Sequence, residues 1–340
     1  MHVRSNSLTS VGAVCALVVV LNELLAGPAV AKASYVTFDG FATGINSGGT
    51  VTGYVQEEVD LYDGFLRAPD GTTTTFAVSE TSSTIPASIN DASEIVGSYV
   101  DASGNWAGFV RASDGTITTF DGPQADFTEP WSVNNRGDIT GYYYVGENGA
   151  PQGFLRTAAG RMTSFDVSGS SGTEPNCIND KGVITGFYLD SNGTHHGFVR
   201  AKDGTFAAFD VQGAEDTYAI SINVKGTVAG YYDIESGGGG GFTRTPDGTI
   251  TTFGEQDCPA PVVNPLYVDG INRKGVITGS CYLRGHTTEV GFVRKADGKI
   301  HKFHVPQLGP GTFPAGINDA GEIVGIYNHH NTKGGFLRIP

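Results

Sequence analysis

The chain has 340 residues, of which 50 are glycine and 16% are charged, and its formal charge is −14 at pH 7. An acidic surface repels phosphate backbones, so this charge argues against a nucleic-acid partner and is compatible with cations, neutral glycans or basic proteins. No segment beyond residue 34 shows a sustained helical period, and frequent glycine and aromatic residues favour many short strands joined by tight turns.

Residues 1–33 have the pattern of a secretory signal peptide. A positive charge at Arg4 precedes an apolar run of eleven residues from Val11 to Leu21, and Ala31-Lys32-Ala33 is a cleavage-type triplet. The run is too short to cross a bilayer, although an uncleaved N-terminal anchor is the alternative interpretation. Cleavage after Ala33 would leave 19 basic and 34 acidic residues, a charge of −15. We therefore expect a secreted protein, periplasmic or extracellular, that does not insert into a membrane once the signal is removed.

Seven copies of one repeat fill the rest of the chain. Each copy contains an Ile-Asn or Val-Asn pair, then a segment close to G-x-[IV]-x-G-x-Y, then G-F-x-R. The arginines of the last motif recur every 44 to 50 residues: Arg67, Arg111, Arg156, Arg200, Arg244, Arg294 and Arg338. Such a period, rich in glycine, tyrosine, phenylalanine and Asp-Gly turns, is typical of a β-propeller. We predict one domain over residues 34–340, an all-β, seven-bladed β-propeller with four antiparallel strands, A to D, in each blade.

The turns between strands A and B have a recurring chemistry. After strand A every copy has an Asn, and in six copies a Gly follows three residues later, with Ser93 as the exception. Asn bonds backbone groups two residues on, and Gly adopts the left-handed conformation that closes a bulged hairpin. Because these sequences lack the dense oxygen ligands of a calcium loop, we predict structural turns.

Strand D carries a phenylalanine, but only six copies of it follow a G-F-x-R motif, because the chain ends two residues after Arg338. The seventh copy of the strand-D pattern is Tyr35–Asp39, at the other end of the chain. We therefore predict that this N-terminal strand closes the last blade and covers its edge. A linear solenoid is the alternative and would not need this complement. The repeated arginines are expected to pair with the Asp after the strand-D Phe: Asp39, Asp121, Asp166 and Asp210.

Three cysteines lie beyond the signal peptide. Cys258 and Cys281 both fall in the sixth copy, and an exported protein favours a disulfide between them. Cys177 stands before an Ile-Asn pair, where the other copies have Gly or Ser, which indicates a small packed residue without a reactive role.

Alternating strand directions place the A–B and C–D turns on one face of the propeller and the B–C and D–A loops on the other, here called the variable-loop face. Variable loops on a rigid scaffold favour function on that face. Four residues before the Ile or Val of each Ile-Asn pair, the side chain changes from copy to copy: Phe41, Ile85, Glu129, Glu174, Tyr218, Tyr267 and Phe313. We expect these residues to ring the central funnel.

The predicted ligand-binding residues are five members of this ring and Trp131, which lies two residues after Glu129: Glu129, Glu174, Tyr218, Tyr267, Phe313 and Trp131. Asn176 and Asp269 occupy the position of Trp131 in their own copies and are further candidates. Two carboxylates beside aromatic rings would suit a sugar or a cation. No cofactor is predicted, and a divalent cation in the channel is compatible with the same carboxylates. Two alternatives stay open: the aromatic rings merely pack over neighbouring blades, or Glu129 and Glu174 divide the acid and base roles of a catalytic site.

Five histidines are predicted in B–C loops of the variable-loop face: His195, His196, His286, His329 and His330. Their spacing does not match a metal-binding motif, so we interpret them as solvated loop residues and predict no metal site. Motifs of nucleophilic hydrolases, zinc enzymes, phosphate loops and dinucleotide-binding folds do not occur in the sequence.

The segment Gly186–Arg200, GFYLDSNGTHHGFVR, resembles the HAF family of probable extracellular repeats, and the likeness spans the chain beyond the signal peptide. The resemblance implies export and a propeller-like fold, and it implies no catalytic residues. We therefore predict a monomeric, non-catalytic recognition protein that binds a glycan, a peptide or a cell-surface or extracellular protein on the variable-loop face. The alternative is a secreted hydrolase or lyase that acts on a carbohydrate-like substrate in the funnel.

Overall fold

The computed structural model describes residues 33–58, 61–79, 82–146, 149–235, 237–254, 266–282, 289–308, 311–329 and 332–340. Ala33–Pro340 form one compact unit. The predicted signal peptide, Cys258, His286 and His330 lie outside the described residues. Within the described ranges there is no α-helix, and thus no helix long and apolar enough to cross a membrane.

The described residues form 28 strands, which make seven four-stranded antiparallel blades as the repeat predicts. One parallel pair, Phe127 with Trp106, also joins the sheets of blades 2 and 3. The A strands are β2 (Phe41–Ile45), β6 (Thr84–Ile89), β10 (Phe127–Val133), β14 (Gly172–Ile178), β18 (Asp216–Ile222), β22 (Leu266–Ile271) and β26 (Thr312–Ile317). The B strands are β3 (Val51–Glu58), β7 (Ile95–Val100), β11 (Ile139–Tyr144), β15 (Ile184–Leu189), β19 (Val228–Asp233), β23 (Ile277–Tyr282) and β27 (Ile323–His329).

The two outer strands of each blade follow in the same order. The C strands are β4 (Leu61–Arg67), β8 (Trp106–Arg111), β12 (Gln152–Arg156), β16 (His195–Arg200), β20 (Gly239–Arg244), β24 (Glu289–Arg294) and β28 (Thr332–Ile339). The D strands are β5 (Thr73–Phe76), β9 (Ile117–Phe120), β13 (Met162–Phe165), β17 (Phe206–Phe209), β21 (Ile250–Phe253), β25 (Ile300–Phe303) and, in blade 7, β1 (Ser34–Phe38). The A strands lie side by side around a central channel, and β26 contacts β2, so the blades close into a ring.

The N-terminal strand β1 occupies the place that the sequence predicts for it. Ser34 pairs with Ile339 and Phe38 with Gly335 in a continuous antiparallel register against β28. The Phe38 ring also meets Phe65 of blade 1, with ring centres 6.0 Å apart and planes near perpendicular. The predicted closure of the last blade is confirmed, and the linear solenoid is wrong.

The phenylalanine of each G-F-x-R motif forms the centre of a blade core. All seven rings are at most 1% exposed: Phe65, Phe109, Phe154, Phe198, Phe242, Phe292 and Phe336. At six of the seven junctions, this ring meets the strand-D Phe of the preceding blade edge-on, with centres 5.8 to 6.5 Å apart. Edge-on aromatic pairs stabilise beyond their burial. Each D strand is therefore built into the core of the next blade.

The repeated arginine lies over a phenylalanine ring. Each guanidinium is 4.5 to 5.1 Å from the ring centre of the strand-D Phe of the preceding blade: Arg67 over Phe38, Arg111 over Phe76, Arg156 over Phe120, Arg200 over Phe165, Arg244 over Phe209, Arg294 over Phe253 and Arg338 over Phe303. These contacts link every blade to its neighbour by a cation–π interaction.

The predicted pairing of these arginines with Asp39, Asp121, Asp166 and Asp210 is wrong, because none of the arginines forms a salt bridge in the described part of the chain. The strand register gives the reason. In blade 3, Arg156 pairs with Met162 at the start of strand D, whereas Phe165 pairs with Gly153 at its end. The Asp that follows the Phe therefore lies at the opposite end of the blade.

Arg156→Ala is expected to lower the free energy of unfolding by about 1–2 kcal/mol, since a desolvated cation–π contact contributes about that much. The Nε atom of Arg156 is buried without a hydrogen-bond partner in the described residues, so the guanidinium is held mainly by the Phe120 ring. Urea unfolding measures the loss, with Arg161→Ala in the adjacent exposed turn as the control. Equal changes in the two variants would contradict a stabilising role for the contact.

The Asn after strand A links the blades as well as closing its own turn. In blade 3, the Oδ1 atom of Asn134 accepts the backbone N–H groups of Arg136 and Asp138, and Gly137 has a φ of 76°, so the predicted turn is confirmed. The Nδ2 atom donates to the backbone oxygen of the matching Asn in the next blade, at 2.9 to 3.2 Å, in a complete circle: Asn46, Asn90, Asn134, Asn179, Asn223, Asn272, Asn318 and back to Asn46.

The cysteines differ in state. Cys281 is buried and disulfide-bonded, while Cys258, its predicted partner, lies outside the described residues, so that pairing stays a prediction. Cys177 is free, and its Sγ lies 3.9 Å from the Ser132 hydroxyl and 3.9 Å from the carbonyl of Ile222. Burial raises the pKa of the Cys177 thiol, which suits a packed residue rather than a nucleophile.

Candidate functional site

The channel along the propeller axis has two ends of different size. At the A–B turns, the circle of asparagines and the residues after them line a cavity of about 240 Å³. Toward the variable-loop face, the A strands of all seven blades line a cavity of about 800 Å³, here called the channel cavity. Ligand sites commonly measure about 300–1,000 Å³, so the channel cavity is the candidate site.

A β-bulge in each A strand supplies the wall of the channel cavity. The pairing between strands A and B skips one A-strand residue in every blade, as between Pro130 and Ser132 in blade 3. The skipped residues all line the cavity: Thr43, Ala87, Trp131, Asn176, Ile220, Asp269 and Ala315. A bulge re-aims a side chain that regular strand alternation would direct elsewhere.

The bulge explains one glycine of the repeat. Gly141 in β11 lies against the carbonyl of Glu129, and a Cβ atom there would be 2.0 Å from that oxygen. The matching glycine of every other blade would meet its own A strand at 2.0 to 2.1 Å: Gly53, Gly97, Gly186, Gly230, Gly279 and Gly325. Glycine is therefore required for the A strand to come close enough to bulge.

The wall of the channel cavity differs from one side to the other. Blades 7, 1 and 2 contribute the small residues Ala315, Thr43 and Ala87, whereas blades 3 and 6 contribute Trp131 and Asp269. Trp131 is 43% exposed, which is unusual for so large an apolar side chain. Small residues on one side thus leave room in front of an aromatic and an acidic group.

Glu129 lies beside the Trp131 indole. Burial raises the pKa of its carboxyl, and the nearby Tyr142 hydroxyl and Trp131 indole N–H act in the opposite direction. The Trp131 and Tyr142 rings lie 6.4 Å apart with a tilt of 34°. An acidic group and the exposed indole therefore stand side by side in the cavity wall.

Glu174 is the second acidic residue of the predicted ring. Burial raises the pKa of Glu174, His195 lowers it, and the charge of Glu129 raises it further. The charge of Glu129 therefore lies close enough to affect the ionisation of Glu174. Glu129 lines the channel cavity, whereas Glu174 lies outside its lining.

Tyr218 and Tyr267 belong to a chain of aromatic rings across blades 4 to 6. Tyr218 stacks on Tyr231 with centres 4.8 Å apart and meets Phe187 edge-on at 5.2 Å. Tyr231 in turn meets Tyr267 at 5.2 Å. Tyr218, Tyr267 and the half-buried Phe313 do not line the channel cavity. The two tyrosines pack between blades, and the ligand contacts expected of all three residues stay predictions.

The first two residues of β16, His195 and His196, are paired with acidic side chains, so their interpretation as solvated loop residues is wrong. The Nδ1 atom of His195 lies 3.0 Å from the Asp216 carboxylate and 3.1 Å from the Tyr218 hydroxyl. The Nδ1 atom of His196 lies 2.9 Å from Asp210. The C strand of blade 4 begins earlier than the sequence suggests, which brings His195 against Asp216 at the start of β18 and His196 against Asp210, directly after β17.

Asp269 carries a polar atom without a partner. Its Oδ2 atom is buried and has no hydrogen-bond donor among the described residues. Burial, and then the charge of Glu289, raises the pKa of Asp269 well above its usual range. Glu289 is 9% exposed and accepts the Ser280 hydroxyl at 2.5 Å. The sequence places Asp269 at the same position as Trp131 but does not select it as a ligand-binding residue. An acidic residue at this position in a single copy is the signal that could have selected it.

Glu129→Gln is expected to raise the melting temperature near pH 7 and to lose that advantage in acid. The native pKa of Glu129 lies above its ordinary value of 4.5, so the native state binds a proton that the unfolded chain releases. Stability therefore falls as the pH rises from below 4.5 through the native pKa, and Gln removes that loss while keeping an acceptor. Thermal melts across this range check the result, with exposed Glu215→Gln as the control. A gain that persists unchanged in acid would contradict it.

No protein-family model matches the chain, and no curated protein matches it either. Solved structures do match. A streptogramin B lyase is 17% identical, with 91% of this chain and 98% of that chain covered and a TM-score of 0.58. The chain is a β-propeller. A virginiamycin B lyase from Staphylococcus aureus is 16% identical over 91% of this chain and 99% of that chain, with a TM-score of 0.60.

A third similar structure comes from a protease. The β-propeller domain of the Trilobed protease from Pyrococcus furiosus, which has an open velcro topology, is 9% identical over 89% of this chain and 96% of that domain, with a TM-score of 0.60. At these identities the likeness shows the shared fold, and the same fold hosts unrelated functions. The activity of this propeller must therefore be argued from its own channel cavity.

Proposed function

We propose that this chain is an exported, non-catalytic recognition propeller that binds a glycan, a peptide or a surface partner on the variable-loop face, with the channel cavity as the point of recognition. Trp131 carries the proposal, because its indole is 43% exposed within a cavity of about 800 Å³. Ligand sites combine apolar or aromatic surface with a few placed polar groups, and Glu129 lines the same cavity beside this indole.

The repeated framework of each blade and the variable side chain at its bulge support a binding function. The scaffold recurs in several blades, as when the Thr128, Thr173 and Thr217 hydroxyls accept a backbone N–H from the loop before each A strand at 3.0 to 3.1 Å. The residue at the bulge changes from blade to blade within that scaffold. Variable side chains that are held by a constant backbone framework are typical of a binding surface on a rigid fold.

Export and an extracellular role rest on the sequence. The signal-peptide pattern of residues 1–33 and the resemblance to HAF repeats both support a secreted protein, and the closed ring supports a monomer because β1 covers the edge of β28.

A ligand screen with matched variants tests the proposal. The protein is screened by thermal shift against neutral oligosaccharides, amino sugars, uronates, short peptides and divalent cations, and hits are measured by calorimetry. Trp131→Ala should abolish binding, whereas Val145→Ala, which alters an equally exposed apolar residue outside the cavity lining, should not. Absence of any ligand, or binding that Trp131→Ala leaves intact, would overturn the channel cavity as the site.

A second candidate function is a lyase or hydrolase acting on a carbohydrate-like substrate. Perturbed acidic groups support this candidate. Burial raises the pKa of both Glu129 and Glu174. The His195 imidazole, which contacts Asp216, lies close enough to Glu174 to lower the pKa of that carboxyl. Groups of this kind can divide acid and base roles. Turnover of a bound ligand that follows a bell-shaped pH profile and is lost in Glu174→Gln would favour the enzyme over the binder.

A further inference from the structure

We propose that the channel cavity selects ligands in which a protonated amine stands next to a flat ring face. This inference rests on the proposed binding function and names the ligand chemistry that the cavity prefers. It follows from the charges around the cavity, the exposed indole and the state of Asp269.

The charged residues that line the channel cavity or lie beside it are acidic, and among the described residues none has a lysine or arginine as its ionic partner; His195 lies near enough to Glu174 to lower its pKa. Glu129 and Asp269 line the cavity, and Glu174 lies beside Glu129. None of the three takes part in a salt bridge within the described ranges. Buried carboxylates without a basic partner are costly, and a cationic ligand offsets that cost.

The arginines of the repeat cannot neutralise these carboxylates. Each lies at the end of strand C that borders the C–D turn, where it is held over a phenylalanine, as Arg156 is over Phe120. Among the described residues, no lysine or arginine lines the cavity, and the exposed Lys333 at the start of β28 also lies outside the lining. The described basic side chains thus stay outside the cavity.

The Trp131 indole adds a surface for a ring or a cation. Among aromatic side chains, Trp binds cations best over its face, and flat ligand faces stack on it. Because Glu129 lies beside the indole N–H and both residues line the cavity, a carboxyl group and an aromatic face stand next to each other. A ligand with an ammonium group beside a ring can contact both at once.

Asp269 provides a second anionic contact in the cavity wall. Its Oδ2 has neither solvent nor a hydrogen-bond donor among the described residues, so the free protein gains little from ionising this carboxyl. An ammonium group at the cavity side would stabilise the ionised form. An inorganic cation is less well served, because the described residues bring no three His, Cys, Asp or Glu side chains together for a metal ion.

The experiment compares charged ligands with neutral ligands of matched shape by calorimetry at low ionic strength. The first pair is 2-phenylethylammonium and 2-phenylethanol, and the second is a glucosamine trisaccharide and its N-acetylated form. In each pair that binds, the ammonium ligand should bind about tenfold more tightly or better, and added salt should reduce the difference. The first pair tests simple aromatic amines and the second tests amino sugars. Comparing the two pairs therefore shows which class of amine the cavity binds.

Variants locate the effect in the channel cavity. Trp131→Ala should abolish binding of both ammonium ligands, and Glu129→Gln should reduce their affinity about tenfold and so remove most of their advantage over the neutral ligands. Glu215→Gln removes one exposed carboxylate outside the cavity lining and should change nothing. Melting temperatures without ligand identify any variant that fails to fold, and Trp131→Phe then replaces Trp131→Ala.

The possible outcomes separate this inference from the proposed function. Neutral or N-acetylated ligands that bind as well as their charged partners, in a manner dependent on Trp131, would leave the recognition function standing and overturn the preference for amines. Binding of calcium or magnesium chloride without binding of either amine would also overturn it. If none of these probes binds, the preference for amines is overturned, whereas the recognition function is decided by the wider ligand screen described above.

Discussion

Deletion of residues 34–39 is expected to open the ring at its seam and to abolish the cooperative unfolding transition. The β28 strand would lose its pairing with Ser34–Phe38, and blade 1 would lose the Phe38 ring that contacts Phe65 and Arg67. A freed strand edge presents unpaired backbone groups that pair with other molecules. Circular dichroism melts should therefore show a broad transition at lower temperature, and light scattering should show association.

Point variants separate the side chain from the strand. Phe38→Ala is expected to lower the free energy of unfolding by about 2–3 kcal/mol, since the ring is half-buried between two blades. Val36→Ala changes the same strand at a residue that is 36% exposed and should cost less than about 0.5 kcal/mol. A deletion that costs no more than Val36→Ala would show that the ring does not depend on β1 for closure.

Asn134→Ala is expected to lower the free energy of unfolding by about 3 kcal/mol or more, the second large effect. The substitution leaves the partly buried N–H groups of Arg136 and Asp138 and the buried carbonyl of Asn179 without their partner; a buried unsatisfied group costs about 1–3 kcal/mol, and the two N–H groups add to that loss. Asn134 itself is 3% exposed, so water cannot easily replace the lost bonds. Urea unfolding at constant pH measures the change.

Asn134→Asp isolates the bond between blades. Asp keeps the oxygen that accepts the turn N–H groups but replaces the donating Nδ2 with a second oxygen facing the carbonyl of Asn179. It should therefore destabilise at neutral pH by an amount close to that of Asn134→Ala. Asn192→Ala, in an exposed loop, serves as the control and should cost less than about 0.5 kcal/mol. If Asn134→Asp matched that control, the circle of asparagines would have no role in holding the blades together.

The same contacts explain why parts of the repeat vary and parts do not. The Asn, the G-F-x-R phenylalanine and the arginine each contact a matching group in an adjacent blade, so a change in one copy leaves a partner in the neighbouring copy unsatisfied. The bulge residue makes no such repeated contact and faces the channel cavity. It is therefore free to differ among blades, which lets one scaffold display an indole in blade 3 and a carboxylate in blade 6.

The sequence alone determined the fold, because its signals are local or follow from simple counting. Turn residues such as Asn134 and Gly137 act within a few positions of one another. The period sets the number of blades, and a strand-D pattern that lacks its preceding G-F-x-R can be completed only by the far end of the chain. That argument places Phe38 next to β28 without any knowledge of packing.

The tertiary structure decided which side chains meet across blades and which line the cavity. Arg156 lies over Phe120 of the preceding blade, and His195 meets Asp216 of the next one, contacts that turn signals and strand periodicity do not reveal. The bulge is the second reason. It breaks the two-residue alternation of the A strand, so the cavity is lined at the position of Trp131 and Asp269, where a regular strand would not place them.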